Sequence, residues 1–221
     1  MKKIITSIII LFTLTAFSQK KVDQAELLKS LTIWKKESDK MSGTFWLPNS
    51  YWRIALEGNA NVPKESIDLI ENAFKDYLIL CAIDLKIGNG TNMTFKLKDE
   101  IEKGLTVIDI NKKKYRPLSE NEISYDTKSF LSSISPMFAQ MFGEMGKGMH
   151  FFVFKIKNDK GVNIFNEFEK GALIVNHSGN TFEWTLPLSA LIDDKLCPVD
   201  EKKMNGNWNF CPIHGKELKS K

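Results

Sequence analysis

Ala172-Leu173-Ile174-Val175, a polar turn at Asn176 to Asn180, and Phe182-Glu183-Trp184-Thr185-Leu186 read as a β-hairpin, closed by Pro187. A hairpin of this kind commits the chain to antiparallel pairing. Other strand signals agree. Leu78 to Ile87 is continuously apolar at first, then alternates through Ile83, Leu85 and Ile87. Gly88-Asn89-Gly90 is a turn signal, and Met93, Phe95 and Leu97 alternate with Thr94, Lys96 and Lys98. Leu105 to Ile110 is a further strand before a lysine-rich turn at Asn111 to Lys114, and His150 to Lys157 is another. Helical spacing is predicted over Gln24 to Asp39, with Leu27, Leu28, Leu31 and Trp34 on one face, and from Pro63 to about Tyr77. Ser135 and Pro136 read as the N-cap and first position of a third helix. Because the helices are grouped and do not alternate with strands, the expectation is an α+β fold. Its main part is an antiparallel sheet or sandwich with a few helices, and a doubly wound sheet is disfavoured.

The start of the chain carries an address. Met1-Lys2-Lys3 precedes an apolar stretch from Ile4 to Phe17, and Ala16-Phe17-Ser18 places small residues where a signal peptidase cuts. The expectation is a signal peptide over 1–18, cleaved after Ser18, and an exported periplasmic or extracellular protein. A single α+β domain over 19–192 and a small tail over 193–221 then follow. Lys and Arg number 31 against 27 acids, a net charge of +4. Arg53 and Arg116 are the only arginines. Polyanion binding favours guanidinium forks on a clustered basic face, so no nucleic-acid partner is expected. The candidate partners are an envelope protein or an apolar small molecule.

The most specific motif lies near the C-terminus. Cys197-Pro198-Val199-Asp200 is echoed by Cys211-Pro212-Ile213-His214-Gly215 fourteen residues later. This duplication resembles the paired knuckles of a zinc ribbon. In that family each knuckle places two ligands three residues apart, and a Gly after the second permits the tight backbone. The resemblance covers about 20 residues and departs from the pattern at two positions. Asp200 stands where the family has Cys, and Glu201 replaces the first knuckle's Gly. The resemblance implies a structural zinc held by Cys197, Asp200, Cys211 and His214, a chemically sensible set of two thiolates, one carboxylate and one imidazole. Water or an outside ligand is the alternative in the place of Asp200. The competing reading is a Cys197–Cys211 disulfide, which suits an oxidising compartment and would contribute roughly 3 kcal/mol by loop closure.

Two further clusters have chemical potential. Met137, Met141, Met145 and Met149 recur at a spacing of four and end beside His150. Soft thioethers with an imidazole suit Cu(I), while Phe138 and Phe142 suit a helix packed on the core or on an apolar ligand. Trp46, Tyr51 and Trp52 crowd together with Phe45, either as a flat aromatic surface for a ligand or as core. His177 reads as a solvated turn histidine and Cys81 as a buried thiol in a strand. Common hydrolase, metalloprotease and nucleotide-binding motifs do not occur in the sequence. The functional expectation is therefore a non-catalytic binding or interaction protein of the bacterial cell envelope. A Cu(I)-handling protein and an enzyme of unidentified class are the alternatives.

Overall fold

A computed structural model describes residues 22–57, 62–88 and 92–220. The expected signal peptide and the central Asn89-Gly90 of the predicted turn lie outside the described residues. Helix α1 (Gln24–Ser30) leads into β1 (Thr32–Glu37) and β2 (Lys40–Leu47), followed by α2 (Asn49–Glu57) and α3 (Lys64–Phe74). Then come β3 (Tyr77–Ile87), β4 (Met93–Phe95), α4 (Lys98–Glu102), β5 (Thr106–Ile108) and β6 (Lys114–Tyr115). Helix α5 (Tyr125–Met141) and β7 (His150–Lys155) precede the hairpin β8 (Gly171–His177) and β9 (Asn180–Leu186). The tail carries β10 (Lys195–Leu196) and β11 (Lys203–Met204). This is an α+β fold whose strand pairings are antiparallel.

Strand β3 organises the body. It pairs with β2 on one side, and with β7 and then β4 on the other, in a five-stranded sheet. Its Leu78, Leu80 and Ala82 join Trp46, Phe152 and Phe154 against Leu173, Val175, Phe182, Trp184 and Leu186 of the four-stranded sheet β6-β5-β8-β9. The alternate residues Ile79, Cys81, Ile83 and Leu85 pack beneath the helices, against Trp52, Phe74 and Phe138. Helices, five-stranded sheet and four-stranded sheet thus form three layers. Both faces of β3 are covered from Leu78 to Ile83, and that is the physical reason this part of its sequence is apolar without interruption.

Helix α5 begins at Ser124, whose Oγ accepts the Thr127 N–H at 3.2 Å. Thr127 Oγ1 in turn donates to the Ala73 carbonyl at 2.6 Å, tying α5 to the end of α3. Arg53 clasps α2 to α3 by donating to Glu71 Oε1 at 2.8 Å and Asp68 Oδ1 at 3.0 Å.

Three local expectations are corrected. The helix predicted through Asp39 stops at Ser30, and Trp34 belongs to β1. Trp34 lies across from Gly43, where an added Cβ would sit 2.5 Å from the indole, so only glycine permits this cross-strand packing. Pro136 lies inside α5 and does not start it, because the Ser124 cap and the Thr127 anchor act earlier. The aromatic group is not a ligand surface. Trp46 is 1% exposed and meets Trp184 edge-on at 6.2 Å, while Trp52 is buried against Phe74 and half-buried Tyr51 packs beside it. Among the described residues, no helix is long and apolar enough to cross a membrane.

Candidate metal centre in the C-terminal tail

The tail is two copies of one backbone turn. In the first, the Cys197 N–H donates to the Lys202 carbonyl at 3.0 Å and the Glu201 N–H to the Cys197 carbonyl at 2.8 Å. In the second, the Cys211 N–H donates to Lys216 at 2.7 Å and the Gly215 N–H to Cys211 at 2.8 Å. The fourth residue after each cysteine takes a left-handed conformation, with φ of 56° at Glu201 and 62° at Gly215. Glycine adopts that conformation without a Cβ penalty and glutamate does not. The duplicated sequence therefore folds as a duplicated turn, even where the first copy lacks its glycine.

Short pairings hold the turns together: β10 with β11, and isolated bridges between Leu196 and Lys219 and between Phe210 and Glu217. The apolar centre of the tail consists of Cys197, Met204, Cys211 and Leu218. Asn207 Nδ2 donates to the Pro187 carbonyl at 2.6 Å and fixes the tail to the end of β9.

These turns bring Cys197, Cys211 and His214 into one group, with all ligand atoms within 4.8 Å of one another. The His214 Nδ1 stands 3.3 Å from the Cys197 sulfur and 3.5 Å from the Cys211 sulfur. Sulfur and nitrogen ligands of a tetrahedral zinc stand about 3.5 Å apart, given Zn–S near 2.3 Å and Zn–N near 2.0 Å. The donor set and its spacing fit such an ion. Both cysteines are buried free thiols and His214 is exposed, so the group opens toward solvent.

Electrostatics separates the two thiols. Burial raises both, and at Cys197 it prevails. At Cys211 burial is outweighed by the His214 and Ile213 backbone N–H groups, together with Cys197 and His214, which bring the thiol down to about 7. A thiol poised there supplies a thiolate ligand readily near neutral pH.

The other candidate residues are placed differently. Asp200 lies outside the three-residue group. Its Oδ1 accepts the Lys202 N–H at 3.3 Å, its Oδ2 pairs with the Lys202 ammonium at 3.3 Å, and its carboxylate also meets the Cys197 thiol. The methionine row is divided among elements. Met137 and Met141 are exposed on α5, Met145 lies in the 3-10 stretch Gly143–Gly148, and Met149 is buried just before β7. The four thioethers therefore do not share one helical face. His150 is half-buried at the start of β7, and burial lowers its pKa although it bonds the Lys96 backbone.

His177 is a buried group that the sequence reading placed in solvent. It is 1% exposed, stacks on Phe182 with ring centres 4.5 Å apart, and lies 2.6 Å from Thr44 Oγ1 through Nε2. Burial pushes its pKa down to about 4, with the nearby Asp84 carboxylate acting the other way. The signal was the period-2 pattern of Leu173, Val175 and His177, which puts all three on the inward face. The turn is only Ser178-Gly179. Because Thr44 is also fully buried, the pair serves packing and has no access to substrate.

Comparison with protein-family models, with curated proteins and with solved structures gives no match. Fold and site together define an α+β protein of two antiparallel sheets under helices, with a cysteine-histidine group on a knuckled tail.

Proposed function

We propose that the protein is an exported, non-catalytic binding or interaction protein of the bacterial cell envelope whose tail is held by one structural zinc. The observation that carries this reading is the convergence of Cys197, Cys211 and His214 from two turns of the same backbone design. Thiolates and imidazole are the preferred zinc donors, and a tail with four residues in its apolar centre gains most of its order from such an ion. Export is supported by the charged start, the apolar run and the small residues Ala16 and Ser18. A non-catalytic role is favoured by the sequence, which carries none of the common hydrolase, metalloprotease or nucleotide-binding motifs.

One measurement tests the reading: native mass spectrometry of the protein recovered from the envelope or medium, without chelator, before and after reductant. The expected species begins at Gln19, carries one zinc, and does not change on reduction. Its His214→Ala variant should emerge metal-free with the body folded. A metal-free parent lighter by two hydrogens, which reductant restores, would establish the Cys197–Cys211 disulfide and overturn the zinc.

A further inference from the structure

Among the described strands, β7 pairs with β3 on one side and with none on the other. Two hydrogen bonds fix which backbone groups face that open edge. The Ile156 N–H donates to the Asp76 carbonyl at 3.2 Å, on the β3 side, and the Val153 carbonyl accepts the Leu118 N–H at 2.7 Å, on the opposite side. Backbone groups alternate in direction along an antiparallel strand, so Phe151 points outward with Val153. Among the described residues, the Phe151 N–H and C=O and the Val153 N–H have no partner at this edge. Such a row is a template for another extended chain. It opens into a cleft of about 300 Å³ between two walls. On the α5 side Phe151 meets Phe138 edge-on at 5.3 Å, and on the α4 side Lys98 lies over the Phe152 ring at 5.9 Å. The α5 wall is apolar, through Leu118, Ile123, Leu131 and Met149, whereas the α4 wall carries Lys98 and Glu102. Lys98 and Lys128 balance Glu102 and Glu120 around the cleft, so it favours no net charge.

Building on the reading of this chain as a binding protein, we infer that the cleft takes an uncharged extended segment of another polypeptide, which adds to β7 as an antiparallel strand. One residue of that segment stands opposite Phe151. Its N–H donates to the Phe151 carbonyl and its carbonyl accepts the Phe151 N–H. Directly opposed residues share a face, so its side chain enters the α5 wall among Leu118, Ile123, Leu131 and Met149 and is aliphatic. Its two neighbours turn to the α4 wall, toward Lys98 and Glu102, and are polar. An apolar small molecule in the same space would displace water from the three backbone groups without replacing its hydrogen bonds, which is why the occupant is a peptide.

The test is amide NMR on the isotope-labelled full chain, titrated with the capped peptide Thr-Thr-Thr-Leu-Thr-Thr-Thr and with its analogue N-methylated at Leu. The peptide should bind saturably at millimolar concentration or below, shift the Phe151 and Val153 amides, and slow hydrogen exchange at Phe151. The analogue lacks the N–H that donates to the Phe151 carbonyl and should bind roughly tenfold more weakly. Ser135→Trp, which fills the α5 side of the cleft, should weaken the parent peptide in the same direction. No saturable binding, unshifted Phe151 and Val153 amides, or equal affinity for the analogue would overturn the inference and leave the zinc and export readings standing. A dimer that protects the same amides without peptide would overturn it in favour of a second copy of the chain. Peptide bound at Phe151 and then cleaved, seen as a change in its mass, would support the docking and overturn the non-catalytic role.

Discussion

In the body, β3 alone buries Leu78 to Ile83 between two layers, and the clusters on its faces draw residues from nearly every element of the domain. In the tail, the buried set is Cys197, Met204, Cys211 and Leu218, two of which are the thiols themselves. Removing about 1.5–3 kcal/mol of apolar burial for each large side chain would dismantle the first slowly and the second at once. The difference teaches where order comes from in each part. Side-chain packing organises the sandwich, whereas backbone turns and shared ligands organise the knuckles. The two parts should therefore respond to separate perturbations.

The largest expected effect is on the body. Phe154→Ala removes a ring 1% exposed between the sheets and should cost roughly 3–5 kcal/mol in denaturant unfolding. Zinc affinity at the tail should not change. A parallel loss of zinc binding would break the separation of the two regions.

The second effect concerns pH and comes from His177. Its folded-state pKa of about 4 lies below the ordinary 6.5, so the unfolded chain binds more protons between those values. The stability associated with neutral His177 is full above pH 6.5 and is lost as pH falls toward 4, by up to roughly 3 kcal/mol. Unfolding measured at intervals from pH 7.5 to 4 should show this slope, and His177→Asn should flatten it.

That histidine also marks how far the sequence could be read. The β8–β9 hairpin, and with it the antiparallel class, was legible because period-2 burial writes itself into residue order, whereas β3 and β7 were legible as short apolar runs buried on both faces. His177 fits the same alternation, yet the polar run from Asn176 to Asn180 reads as a longer, solvated turn than the two residues Ser178-Gly179 that form it. Leu27, Leu28, Leu31 and Trp34 satisfy a helical period although the helix ends at Ser30. Trp34 is instead accommodated by Gly43 on the neighbouring strand, a partner that local spacing does not reveal. The knuckles were legible because cysteine, proline and ligand recur at one spacing. The position of Asp200 was not, since it depends on where Lys202 places its N–H and ammonium.

A smaller effect follows at that strand pair. Gly43→Ala forces the Trp34 ring aside and should cost about 1–3 kcal/mol in global stability, with Trp34 fluorescence altered in the folded state. Unchanged stability would mean the indole has another place to lie.

The smallest effect belongs to the tail. Glu201→Gly relieves a left-handed glutamate and should stabilise the first knuckle by about 1 kcal/mol, read as slower hydrogen exchange at the Glu201-position and Cys197 amides. The melting of the body should stay where it was.

Hydrogen exchange on the full chain with and without one equivalent of zinc tests the central claim most directly. The amides of Cys197, Glu201, Cys211 and Gly215 report on the knuckles, and those of β3 and β8 on the sandwich. The expected result is strong protection of the knuckle amides only with zinc, and equal protection of β3 and β8 in both states. Knuckle amides equally protected without metal would contradict a tail held by zinc through Cys197, Cys211 and His214.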